Sequence, residues 1–197
     1  MPNTTAVRIA LLAALLTGAA SSLAAQARPA SPRVEFLITS GSFVPTGALR
    51  EAIGRGKLTA AQFAVVTRPN LALTATLGWA RSHDIADGGD SRLNVFTYDL
   101  GAELRSARLF PVAAMTFRPL VGVGGGARSY DHRGVSADAT HNLAAYGSVG
   151  GELGYRRVRL RLEARDYVTG FKPLVRAGTS ERRNDVVIMF GLRLTSR

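Results

Sequence analysis

One eight-residue stretch constrains the fold of this chain more than any other. From Val158 to Arg165 the residues alternate strictly between apolar and charged, as VRLRLEAR. A period of two places the apolar side chains on one face of a β-strand and the charged side chains on the other. In a soluble sheet the charged face meets water. In a membrane-spanning barrel the apolar face meets lipid and the charged face lines the lumen.

The N-terminus has the features of an export signal. Arg8 precedes the apolar run at 9–16, small residues follow, and Ala25-Gln26-Ala27 matches an A-x-A cleavage site. The sequence therefore predicts a cleavable signal peptide over 1–27, Sec-type export, and one mature domain over 28–197. No later stretch reaches the roughly 18 apolar residues of a membrane helix. The mature chain is then either soluble outside the cytoplasm or a membrane barrel.

The two-residue alternation recurs along the mature chain. It predicts eight strands of about ten residues, over roughly 33–42, 58–67, 71–82, 93–105, 117–128, 142–155, 158–170 and 185–195. The connections alternate between long and short, although 106–116 is more apolar than a turn should be. An even strand count with this alternation is typical of an all-β, eight-stranded antiparallel up-and-down transmembrane barrel. The long loops would be extracellular, and both ends of the barrel domain periplasmic.

Aromatic residues on the predicted outward face fall at two levels, as expected of the two girdles of a spanning barrel. The outer girdle would contain Trp79, Phe96 and Tyr98, and the inner girdle Phe36, Phe117 and Tyr155. The alternative is that these rings form the core of a soluble lipocalin-like barrel. The glycine, alanine and threonine of the opposite face would make a poor exterior for such a protein, which favours the membrane barrel.

The predicted inward face carries many charged residues, and an eight-stranded barrel leaves little room beyond side chains. These residues are Glu35, Asp99, Glu103, Glu152, Glu163, Arg105, Arg128, Arg159, Arg161, Arg165 and Arg193. Lone charges there would cost several kcal/mol each, roughly, so we expect them to pair. The turn at 156–157 sets a register that pairs Glu152 with Arg161, and barrel closure brings Glu35 near Arg193. The inward glycines Gly122, Gly124, Gly126 and Gly150 are expected to leave room for arginines from the opposite wall.

The final strand, Val186 to Leu194, combines a glycine with alternating hydrophobic residues. With the strand count and loop parity, it resembles the small outer-membrane β-barrel proteins, the OmpA-type transmembrane domain and its eight-stranded relatives. The resemblance covers the whole mature chain and implies recognition by the barrel assembly machinery and periplasmic chaperones. The chain ends Thr195-Ser196-Arg197, whereas the family usually ends in an aromatic residue.

The net charge of +11 raises nucleic acid as a partner. Export and the spread of the arginines along strands argue against it, and a charged lumen with contact to anionic lipopolysaccharide explains them better. The chain has no Cys and three His, so we expect neither a metal site nor another cofactor. The glycines at 122–126 lack the Gly-Lys-Ser/Thr of a phosphate-binding loop and read as barrel wall.

Candidate catalytic groups are few. His83-Asp84 and Asp131-His132 lie in predicted extracellular loops, where paired Asp and His could activate water. Ser129 and His141 bracket one loop, but their spacing indicates no partnership. We therefore expect a non-enzymatic protein.

Three functional hypotheses follow from the sequence. The first is a structural, surface-contact or adhesion role through the long loops. The second is a narrow channel, or a transporter that passes small or hydrophobic solutes through the lumen or a lateral gap. The third is a lipid A-modifying enzyme. The extracellular ligand is left open.

Overall fold

A computed structural model of the chain describes residues 33–85, 90–133, 140–155, 158–171 and 181–195. The predicted signal peptide at 1–27 and its cleavage site lie outside these residues. Nine strands are described: β1 (Arg33–Thr46), β2 (Gly56–Arg68), β3 (Leu71–Asp84), β4 (Ser91–Arg105), β5 (Phe110–Val112), β6 (Met115–His132), β7 (Thr140–Tyr155), β8 (Val158–Phe171) and β9 (Glu181–Thr195). A 3-10 helix, Gly47–Glu51, follows β1.

The eight long strands form one closed antiparallel barrel in up-and-down order, which confirms the predicted fold class. Neighbours in sequence pair throughout, β4 pairs with β6, and β1 closes the barrel against β9. Following the register once around from Glu35 returns to Pro45, ten residues further along β1. Such a stagger means that the strands are strongly tilted against the barrel axis.

The two ends of the barrel differ. The loop end carries the connections after β1, β3, β6 and β8, and several strands run further into it than the alternation predicts. β1 continues to Thr46 and β6 to His132. The turn end carries the short β2–β3 and β7–β8 connections, the connection after β4, and the start of β1 and end of β9.

The apolar connection at 106–116 is a β-hairpin rather than a loop. β5 pairs with the start of β6 through a two-residue turn, in which Ala113 has a φ of 52°. Leu109, Phe110, Val112 and Met115 are all exposed. The hairpin therefore extends the apolar exterior beyond the barrel wall at the turn end.

Burial follows the predicted alternation, with apolar side chains outside and charged ones inside. Outward Leu77, Leu100 and Leu143 are 62%, 71% and 87% exposed, whereas inward Arg161 and Glu152 are almost fully buried. An apolar exterior around a charged interior is the arrangement of a barrel that spans a membrane. Among the described residues, no helix is long and apolar enough to cross a membrane.

The predicted girdle residues lie on the outward face. Toward the loop end, the rings of Trp79 and Phe96 stack 6.5 Å apart and Tyr98 is exposed. Toward the turn end, Phe36 is exposed and the Phe117 ring covers Gly151 so closely that a side chain there would displace it. The backbone of Tyr155 pairs with Val158, but its side chain lies outside the described part of the chain.

Candidate functional site

The lumen is filled by three layers of side chains, from a charged layer at the turn end to an apolar layer at the loop end. Arg161 of β8 is the centre of the charged layer. It donates to Glu152 of β7 at 3.1 Å, forms an ion pair with Glu163 at 2.8 Å, and binds Glu103 of β4. The ion pair between Glu152 and Arg161 is the one that the β7–β8 turn predicts.

Glu35 of β1 links arginines of β4 and β9 in this layer. Its carboxylate accepts a hydrogen bond from Arg193 at 2.6 Å, as barrel closure predicts, and forms an ion pair with Arg105 at 2.7 Å. Arg105 donates to Glu103 at 2.6 Å, and Arg193 pairs with Glu152 at 2.8 Å. Four carboxylates and three arginines from β1, β4, β7, β8 and β9 thus form one continuous network.

Arg159 stands apart from this network. It belongs to the predicted inward set and lies two residues before Arg161 on the same face of β8. It forms no ion pair with any residue that the structure describes, and it is only half-buried near the mouth of the turn end. The expectation that every inward charge pairs was therefore wrong at this position within the described residues, where Nη1 of Arg159 is buried beside Gly154 and has no hydrogen-bond partner.

The middle layer combines arginines with tyrosines. Arg165 donates to Glu163 at 2.8 Å and reaches Asp99 at 3.4 Å, and Tyr167 donates to the same aspartate at 2.5 Å. The Arg165 guanidinium also lies 4.8 Å from the Tyr146 ring centroid. Such cation–π contacts help to compensate a buried guanidinium for its lost hydration.

The inward glycines make room for Tyr146 rather than for arginines. A Cβ added at Gly124 would lie 2.6 Å from Cζ of Tyr146, and one at Gly101 3.2 Å from the same atom. The Tyr146 side chain therefore occupies the space that side chains at these positions of β4 and β6 would need. The expectation that arginines fill this space was wrong, because the arginines gather instead around carboxylates on β1, β4, β7 and β8.

Arg128 has a partner that the sequence reading missed. Its guanidinium forms an ion pair with Asp185 at 3.0 Å and lies 4.0 Å from the Tyr167 ring centroid. Asp185 shares the inward face of β9 with Val187 and Met189. Extending that alternation by one step toward the loop end would have identified it.

The loop end of the lumen is closed by an apolar cluster, which we call the loop plug. Leu49 and Ile53, in and just after the 3-10 helix, are almost fully buried inside the mouth. They join inward residues of the wall in one cluster that includes Phe43, Leu58, Leu93, Val95 and Tyr130. The first loop of the barrel thus folds into the mouth rather than away from it.

Hydrogen bonds fasten the segment after the helix to β3. Ser82 Oγ donates to the Gly54 carbonyl at 2.5 Å, the Gly54 N–H donates to His83 at 2.9 Å, and the Ile85 N–H donates to Ala52 at 2.8 Å. These contacts span the β1–β2 and β3–β4 connections. The loop plug is therefore attached to the barrel wall and not only packed against it.

The candidate catalytic residues are rearranged by the fold. Asp84 contacts His132 at 2.9 Å, and both are buried, whereas their sequence neighbours His83 and Asp131 point to the outward face. Asp131 accepts a hydrogen bond from Asn94 at 3.4 Å. Within the described ranges, no group of three His, Asp or Glu residues could hold a metal ion.

Ser129 and His141 are direct cross-strand neighbours on β6 and β7, a partnership that their sequence spacing does not reveal. Ser129 is buried beside the aromatic girdle and His141 is exposed. No hydrogen bond joins the two side chains in the described structure. The pair has the right residue types for a nucleophile and a base, but not the contact between them that would activate the serine.

Comparisons with known proteins support the architecture. No protein-family profile and no curated protein sequence matches the chain. Among solved structures, it is similar to Neisserial surface protein A, with a TM-score of 0.58 and 10% identity over 82% of this chain and 96% of the other. It is also similar to the outer membrane protein OprG from Pseudomonas aeruginosa, with a TM-score of 0.53 and 12% identity over 84% and 97%. The fold is that of the small eight-stranded outer-membrane barrels.

Proposed function

We propose that this protein is a closed outer-membrane barrel that acts through its outer surface, in envelope integrity and surface contact, rather than by conducting solutes. The observation that carries the proposal is the filling of the lumen in three successive layers. The charged layer is almost completely buried, and the loop plug occupies the opposite mouth. An ion could pass only if the charged layer opened and the loop plug left the mouth.

A lateral path through the wall has no support in the strand pairing. Backbone pairing joins every pair of neighbouring long strands, including β4–β6 and the β1–β9 closure, and its one register irregularity among the described residues lies between Val66 and Arg68, at the turn end of β2. A gap for hydrophobic solutes would require a pair of strands to separate and leave backbone groups without hydrogen bonds in lipid, at a cost of several kcal/mol, roughly, for each group.

Planar bilayers test this proposal directly. We expect the purified protein to give no steady conductance, and liposomes that contain it to take up hydrophobic solutes no faster than empty ones. Folded insertion is checked in the same samples by heat-modifiable gel mobility. A sizeable, steady conductance from folded protein would favour the channel hypothesis instead.

We further propose that the protein is not an enzyme and that its partners are outer-membrane lipids, including lipopolysaccharide. Sec export and delivery by periplasmic chaperones to the barrel assembly machinery belong to the same proposal. The lack of a hydrogen bond between the side chains of Ser129 and His141, within the described residues, supports the non-enzymatic role. Mass spectrometry of lipid A should show the same acyl pattern with and without expression of the protein. A change that disappears in Ser129→Ala would identify a lipid-modifying enzyme.

A further inference from the structure

Exposed cations gather on one side of the loop end. Above the outer girdle, on β2, β3, β4 and β6 and the residues next to them, the outward surface carries a group that we call the rim patch: Arg55, Lys57, Arg81, Arg92 and Arg133. Among the described outward residues on β4, β6 and the adjoining residue 90, the two carboxylates are fewer than these five cations, because Asp131 is half-buried and bonded to Asn94, and Asp90 is a single charge. Anionic ligands are therefore attracted to this side of the barrel.

The centre of the rim patch is an unfavourable pair. Lys57 and Arg81 are direct register partners on β2 and β3, and both point outward. Like charges directly opposite each other destabilise a sheet. Arg81 is also held in place, with its guanidinium 4.1 Å from the Trp79 ring centroid. An anion that bridges the two side chains would relieve their repulsion through charge-assisted hydrogen bonds.

An apolar groove of about 620 Å³ lies on the lipid-facing surface directly below the patch. Small residues line its floor, and large apolar residues, including Phe63, Leu77, Tyr98, Leu100 and Leu143, form its sides. On the outward face, Ala61 lies four residues below Lys57 on β2, and Leu77 lies four residues below Arg81 on β3. The groove and the patch are thus separated by one row of side chains, which contains Trp79.

We propose that the rim patch and this groove form one binding site for a phosphorylated lipid of the outer leaflet. Phosphate bridges Lys57 and Arg81, the other cations of the patch contact further anionic groups, and an acyl chain lies in the groove. An anionic head above an apolar chain matches both the charge and the polarity of the two surfaces. This site rests on the proposed outer-membrane location, which sets the patch at headgroup level and the groove within the hydrocarbon.

The single tryptophan of the chain lies inside the proposed site, so binding can be followed directly. We expect bisphosphorylated lipid A, titrated into the full chain in zwitterionic micelles, to change Trp79 fluorescence saturably and to remain bound in native mass spectrometry. The double variant Lys57→Gln/Arg81→Gln should weaken binding at least tenfold, roughly, as two charge-assisted contacts are lost. Mass spectrometry provides the readout that does not depend on Arg81 touching Trp79.

Two control variants separate the site from general charge. Arg68→Gln removes an exposed cation from the opposite end of β2. Arg108→Gln removes an arginine that lies 5.6 Å from the Phe110 ring centroid at the turn end. Neither should weaken binding. Equal losses in the controls and in the double variant would overturn the proposal in favour of unspecific attraction.

The groove is tested by a matched pair of glycines. A Cβ at Gly125 would contact only the Ala144 carbonyl, at 3.4 Å, and one at Gly147 would contact nothing within 4 Å. Both positions therefore accept a leucine, but only Gly125 lines the groove of the proposed site. Gly125→Leu should weaken lipid A binding several-fold without affecting the deacylated, phosphorylated headgroup, whereas Gly147→Leu should change neither.

A comparison of ligands tests whether the site recognises a phosphorylated lipid. Bisphosphorylated lipid A should bind at least tenfold more tightly, roughly, than dephosphorylated lipid A, since the phosphate is the bridging group. Equal binding of the two lipids would overturn the proposal. So would a sulfated polysaccharide that binds the patch while lipid A does not, because that result identifies an extracellular ligand. A conducting barrel would refute the proposed function and leave these binding results intact.

Discussion

The two halves of the lumen are equally buried but are filled in opposite ways. At the turn end, carboxylates and arginines from five strands form one network around Arg161 and Glu35. At the loop end, Leu49 and Ile53 enter the mouth from a loop and pack against apolar residues of the wall. The first half is built from the barrel wall itself, and the second is completed by a segment that the wall does not contain.

This difference determines how each half should respond to damage. A buried charge is tolerable only while its partners are present, because an unpaired charge keeps its full desolvation cost. Apolar packing instead loses free energy in proportion to the volume removed. The turn end should therefore fail when any central member is lost, whereas the loop end should weaken gradually.

The largest effect is expected at the centre of the charged layer. Arg161→Met removes the cation that Glu103, Glu152 and Glu163 share. By the usual cost of breaking a buried ion pair, the free energy of unfolding should fall by about 3–5 kcal/mol. Urea unfolding in lipid vesicles, followed by Trp79 fluorescence and heat-modifiable mobility, measures the loss.

Arg159→Met is the matched control for this prediction. Arg159 lies on the same strand and the same face, two residues away, and has no ion pair within the described residues. We expect a change below about 1 kcal/mol, because the half-buried Arg159 has no such ion pair to lose. Equal losses in the two variants would show that the network contributes nothing beyond the bulk of its arginines.

A smaller effect is expected in the loop plug. Leu49→Ala should lower the free energy of unfolding by about 2–3 kcal/mol, at the low end for a buried leucine because the mouth can partly collapse. The variant should still give no conductance in planar bilayers, since the charged layer closes the other half of the lumen. Arg50 is an exposed neighbour on the same 3-10 helix, and Arg50→Ala should change neither the free energy of unfolding nor the conductance. Conductance from Leu49→Ala would mean that the loop plug alone seals the barrel.

The smallest effect concerns the wall between the two halves. Gly101→Ala would place a Cβ 2.8 Å from the Val123 carbonyl and against the Tyr146 ring, so the ring or the strand must shift. Overpacking of this kind costs about 1–3 kcal/mol. Gly125→Ala is the control, because its Cβ meets one atom at 3.4 Å on the outer face. Similar unfolding curves for the two variants would contradict the close packing of Tyr146.

Alternation was enough to predict most of the barrel and much of its charged layer. Residue parity tells which side chains share the inner face, and the short turn at 156–157 then fixes Glu152 opposite Arg161. Barrel closure adds Glu35 and Arg193. These inferences need only the geometry of paired strands, which depends weakly on side-chain detail.

The loop plug could not be predicted in this way. Leu49 and Ile53 lie where the alternation stops, so no periodic signal tells whether they fold into the mouth or into solvent. The register pairing of Ser129 with His141 was hidden for a related reason. Their pairing depends on how far β6 and β7 extend beyond the predicted ends, and strand ends are the least certain part of a pattern.

The hairpin of β5 has a consequence for how the barrel sits in a bilayer. It adds exposed Phe110, Val112 and Met115 to the apolar exterior at the turn end, but only on the side of β6. On the side of β2, the exterior ends at Thr67 and the exposed Arg68. A hydrophobic surface that is taller on one side matches a membrane of uniform thickness only if the axis inclines or the lipid thickens locally. The protein should therefore lean in the bilayer or deform it, with the hairpin side immersed more deeply than the side of β2.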